Sequence, residues 1–111
     1  MDIVNERTTH IVRAAFTDEN GDDVTPSTGF YSVFDEKSGT EILEATAFTP
    51  SSATHDFEIT PEQNRILNSS NRFEERVLTL SFVYNSTREG TGNYKWAIKN
   101  MDLFPFNVES S

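Results

Sequence analysis

No cysteine occurs among the 111 residues, which excludes a disulfide framework, a thiolate zinc site and a cysteine nucleophile. Stability has to come from packing. Positive charge is scarce as well: 9 Lys and Arg stand against 18 Asp and Glu, a formal net charge of −9. Binding to a phosphate backbone depends on clustered cations that release counterions, so this balance argues against direct contact with nucleic acid. No apolar run approaches the ~20 residues of a membrane-spanning helix. The start MDIVNERTTH has neither the basic region nor the apolar centre of a signal peptide. The expectation is a chain made in the cytoplasm, with no membrane partner. Without export, the sequons at Asn68 and Asn85 carry no glycosylation message.

What is plentiful is aromatic. The 9 Phe, 3 Tyr and 1 Trp supply large apolar areas that suit the pleated, half-buried surface of a sheet better than a helix. A chain of this size forms one domain and removes roughly two-thirds of its extended surface from water. Residues 1–9 are polar apart from Ile3 and Val4 and read as an arm or an added edge strand. Residues 10–108 read as the domain, and 109–111 as a tail.

Alternation along the domain marks its strands. In HIVRAAF, His10, Val12, Ala14 and Phe16 share one face. DENGDD then turns the chain, with Asn20 and Gly21 tolerating positive φ. FYSVFD at 30–35 is dense enough in aromatics to be covered on both faces. EILEATAFT at 41–49 has helix formers, but Thr46, Phe48 and Thr49 tip it toward strand. THDFEI at 54–59 places His55, Phe57 and Ile59 inward. Thr60 is then a good N-cap, Pro61 suits a first helical position and Gln63 completes a capping box, so one helical turn is expected over 61–67. RVLTLSFVY carries Leu78, Leu80, Phe82 and Tyr84 on one face and reads as the central strand. STREGTGN reads as a loop, and YKWAIKN puts Tyr94, Trp96 and Ile98 inward, with Lys95 and Lys99 outward. A last strand is expected at 104–108, with Phe104, Phe106 and Val108 on one face and Pro105 favouring an edge.

Seven short strands, one helical turn and no βαβ alternation imply an all-β, immunoglobulin-like antiparallel β-sandwich. The predicted core holds Phe57, Leu78, Leu80, Phe82, Trp96 and Ile98. In this reading Thr60, Pro61, Gln63, Arg65 and Arg76 form a crossover between sheets, braced by exposed ion pairs worth about 0–1 kcal/mol each.

No constellation of side chains specifies chemistry. Asp18 to Asp23 begins like a calcium loop, but Asp23 stands where glycine is needed and Gly29 where the bidentate glutamate belongs, so a solvated turn is expected. Glu74 and Glu75 are adjacent in an extended segment and so point to opposite faces, unsuited to flanking one substrate bond. His10 and His55 lack metal-pair spacing. EGTGN lacks the third glycine and strand-to-helix context of a dinucleotide loop, and no Walker lysine is present. Trp96 faces away from Lys95 and Lys99 and reads as core. The expectation is therefore no enzyme, no cofactor and no metal. The apolar surplus lies at the ends, in Ile3, Val4, Phe104, Pro105 and Phe106. It suits either a partner contact or closure of the sandwich's own open ends.

The succession RTTHIVRAAFTDENGDDVTP, GFYSVFDEKSGTEIL, FEITPEQNRIL and ERVLTLSFVYNSTREGTGNYKWAIKN resembles small accessory virion proteins of tailed bacteriophages with immunoglobulin-like folds. The resemblance spans about residues 7–100 and rests on strands and turns. It implies a virion structural role without choosing the location; the leading expectation is a capsid decoration or cement protein on the outer capsid surface, with the major capsid protein and copies of itself as partners. A neck or tail component is the same-class alternative. A host-surface carbohydrate-binding module using Tyr31 or Tyr94 is the alternative from another class.

Overall fold

The computed structural model describes residues 2–103. Within them lie seven strands: β1 (Asp2–Asn5), β2 (His10–Ala15), β3 (Thr28–Asp35), β4 (Glu41–Phe48), β5 (Thr54–Ile59), β6 (Phe73–Tyr84) and β7 (Arg88–Lys99), followed by a 3-10 turn at Met101–Leu103. Five strands form one sheet in the order β1-β7-β6-β3-β4, and β2 and β5 pair as a second, two-stranded sheet. The fold is an all-β sandwich, as the alternation implies.

The two inner faces meet over an aromatic core. From the small sheet and its flanks come Val12, Phe16, Phe57 and Ile59; from the large sheet come Val33, Phe48, Leu78, Phe82, Trp96 and Ile98. Phe16 lies edge-on to Phe82 with centroids 4.9 Å apart, and Phe57 makes the same kind of contact with Phe48 at 4.9 Å. Each buried Phe contributes on the order of 1.5–3 kcal/mol by area, and these offset-edge pairs add to that. All six predicted core residues face this interior; Leu80 alone among them is only partly buried.

The chain crosses from the small sheet to the large one between β5 and β6, at the capped turn. Thr60 N donates to Gln63 Oε1 at 2.9 Å and Gln63 N to Thr60 Oγ1 at 3.2 Å, so the capping box is formed. One α-type bond follows, Asn64 N to Thr60 O at 3.1 Å. The element is a turn over 61–64 and does not extend to 67. The side chain of Asn64 ends it by turning inward, donating to Thr8 O and accepting from Trp96 Nε1.

Three further expectations need correction. First, residues 88–93 are not a loop. β6 and β7 pair without interruption from Phe73↔Lys99 to Tyr84↔Arg88, so EGTGN lies inside β7. The glycines serve packing: Gly90 faces the Phe82 ring, which occupies the space a β-carbon would need. The turn itself is made by Asn85 and Ser86, both at positive φ. Second, the sheet is mixed. The arm is a strand, and β1 joins β7 in parallel, Asp2↔Trp96 to Asn5↔Lys99. Third, β3 is covered on one face only, and Phe30 is 51% exposed on the other. The strand expected at 104–108 lies outside the described residues.

Candidate interaction surface

One end of the sandwich is polar, with a depression of about 730 Å³ lined by Asp35, Ser38, Leu67, Asn68, Phe73 and Glu74 over a buried ion network. Arg76 is inward-facing on β6 with a side chain that is 0% exposed. Its Nη1 donates to Asp35 Oδ1 at 2.5 Å, and its Nη2 donates to Glu74 Oε1 at 2.9 Å and to Arg65 O at 2.8 Å. Glu74 also accepts from Leu67 N, Asn68 N and Asn71 Nδ2. Burial pushes the Glu74 carboxyl upward, yet the hydrogen bonds from Leu67, Asn71, Asn68 and Arg76 outweigh it and hold the group below the ordinary value of 4.5. The crossover is thus braced by a buried ion network, with the exposed Arg65–Glu62 pair as a lesser addition. Of the other crossover residues, Pro61 is exposed, and Arg65 reaches outward to Glu62 at 2.9 Å while lending its carbonyl to Arg76.

The histidines and tyrosines are committed to packing. His10 stacks on Tyr94 and tilts against Trp96, and His55 packs on Phe48 and Phe57. Tyr31 packs against Phe57 at 4.7 Å. Tyr94 donates to an Asp2 carboxylate oxygen; burial first, and that carboxylate second, push its phenol up to about 12. Neither tyrosine presents an open stacking platform. Asp18 Oδ1 accepts from Asn20 N and Asp22 N, the bonds of a self-contained turn, and Gly21 takes φ of 82°. Among the described residues, no group of three His, Cys, Asp or Glu side chains is placed to hold a metal ion.

The open surface lies on the opposite side of the large sheet. The small sheet covers only one face, so the other faces outward. Register pairs place Phe30 beside Ser81 and Ala47, and Ser32 beside Thr79, whose hydroxyl oxygens are 2.8 Å apart. Thr91 lies beside Ser81, and Asn93 beside Thr79. Around Phe30, the side chains in register on this face are therefore uncharged, and Glu89 lines the depression at one side of the ring. Two shallow depressions flank Phe30. One, of about 390 Å³, runs between Ser32, Ala45, Thr79 and Asn93. The other, of about 230 Å³, lies between Thr28, Ser81, Val83 and Thr91. An uncharged area of this kind is unusual on a chain of charge −9, and depletion of charge is what distinguishes the centre of a protein interface.

Ile3 is 62% exposed on the same outer face but lies apart from Phe30, beside Ala97 in the row of Glu75 and beyond the Lys95–Glu36 ion pair, whereas Val4 turns inward against the core. The pair expected to act together is therefore split by strand alternation. Phe104, Pro105 and Phe106 lie outside the described residues. Phe30 is hidden in the sequence because a dense aromatic run suits burial on both sides. The signal that points to its exposure is the serine and threonine content of the positions that share its face, Ser32, Thr79, Ser81 and Thr91. No family model, curated protein or solved structure matches the chain.

Proposed function

We propose that this chain is a non-enzymatic structural protein of a tailed-bacteriophage virion. In this reading it is a capsid decoration protein that binds the outer surface of the major capsid protein shell and stabilises it. The observation that carries the reading is the uncharged outer face around Phe30, held on a rigid five-stranded sheet within an otherwise acidic molecule. A flat sheet face displays its side chains without loop ordering, so docking it loses little conformational entropy. Repetition by capsid symmetry then converts a modest contact into high avidity. The acidic remainder suits an exterior position, away from packaged DNA.

The test is reconstitution. Particles lacking the chain should release DNA at lower temperature than complete particles, and added purified protein should restore resistance. Phe30→Asp protein, folded by circular dichroism, should fail to restore it. Full resistance of particles that lack the chain would overturn the decoration role.

A further inference from the structure

Among the described residues, the outer edge of β7 is occupied only over its last four positions. β1 covers Trp96 to Lys99, and from Arg88 to Lys95 the strand pairs with β6 alone among the described residues. Beneath this open edge runs a groove of about 350 Å³ between β7 and the free edge of β2, floored by Leu78, Leu80 and Phe82. A strand with unpaired backbone groups beside partly open core is a template for another strand. Charge on the edge chooses the occupant.

We infer that the open edge of β7 pairs antiparallel with the same edge of a second copy, about a two-fold axis through Gly92. A two-fold axis normal to the sheet requires directly opposed residues to share a face, so it must pass through a residue. With the axis at Gly92, Glu89 stands opposite Lys95 of the second copy, and Lys95 opposite its Glu89. Thr91 stands opposite Asn93. Gly90, which has no side chain, stands opposite Tyr94 on the inner face. Of the possible axes along the edge, only this one opposes both charged pairs with opposite sign, and it uses the open outer-face positions from Glu89 to Lys95 before β1 blocks the way. Opposite charges directly across an antiparallel pair stabilise it, and like charges destabilise it. Lys95 already reaches Glu36 at 3.0 Å, so in the dimer it stands between two carboxylates of opposite subunits.

The product is one continuous ten-stranded sheet with both Phe30 faces on the same side. The dimer goes beyond the virion reading and stands without it, since it depends on the β7 edge and not on any capsid.

Sedimentation of the purified chain tests it, with hydrogen exchange as a second readout. The wild type should dimerise at concentrations up to roughly 100 µM, with backbone amides of 89–95 becoming slower to exchange as concentration rises. Lys95→Glu or Glu89→Lys alone sets like charges opposite each other twice and should weaken the dimer about tenfold or more. The double variant Glu89→Lys/Lys95→Glu restores opposite signs across the axis and should recover dimerisation. Circular dichroism of each variant separates lost pairing from lost fold. A wild type that stays monomeric would overturn the inference and leave the edge to a strand of a different protein. A dimer indifferent to the single reversals, or a double variant that fails to recover, would overturn it too and move the contact to another surface.

Discussion

Arg76 has no solvent contact, and its partners Asp35 and Glu74 are nearly as buried. Removing one partner of such a network leaves uncompensated charge in the interior, at a cost of about 3–5 kcal/mol. Arg76→Met should therefore lower stability by that order, read as a fall in the urea midpoint. Glu74 makes the same network sensitive to pH. Its folded pKa lies below its unfolded value, so its contribution is full above pH 4.5 and is lost as pH falls through the folded value. The stability gap between wild type and Glu74→Gln should accordingly narrow from pH 7 toward pH 3. An unchanged gap across that range would contradict the network's ionised state. The burial of this charge was partly legible. Glu74 and Arg76 share parity with Leu78, Leu80 and Phe82, so alternation already puts them on the inward face. What alternation does not reveal is that Asp35, Arg65 and Asn71 converge from other places in the chain to bond them.

The β6–β7 hairpin shows the same limit at the scale of an element. Its outward and inward residues follow from alternation, and Trp96 and Ile98 are core as expected. Its length was hidden because two glycines in five residues signal a turn, whereas here both lie within the strand and Gly90 makes room for the Phe82 ring. The two are not equivalent. A β-carbon at Gly90 would overlap the Phe82 ring, but one at Gly92 would come no closer than 3.7 Å to Leu80. Gly90→Ala should destabilise by about 1–3 kcal/mol through overpacking, while Gly92→Ala should be neutral or gain up to about 1 kcal/mol, since glycine weakens a strand interior. Equal effects in urea unfolding would contradict the packing described for this strand. The capping box at Thr60 and Gln63 was legible because its bonds are local. The parallel docking of β1 was not, because alternation gives faces and never neighbours.

For the whole molecule, the important asymmetry is between its two large faces. One face of the five-stranded sheet is covered by the small sheet and carries a buried ion network at one end. The other is open around Phe30 and continuous with a β7 edge that is unfilled from Arg88 to Lys95 among the described residues. Composition announces the acidity of the molecule but not where acidity is missing, which depends on the register of β3, β6 and β7. That missing charge is what supports the proposed role in an assembly. The copy number of the chain in purified virions, measured by quantitative mass spectrometry against the major capsid protein, tests the assignment most directly. A ratio near one, or a simple fraction of it, is the result a shell-wide decoration protein requires. A ratio of roughly one in a hundred would place the chain at the neck or tail instead, and its absence from the particle would contradict the virion role altogether.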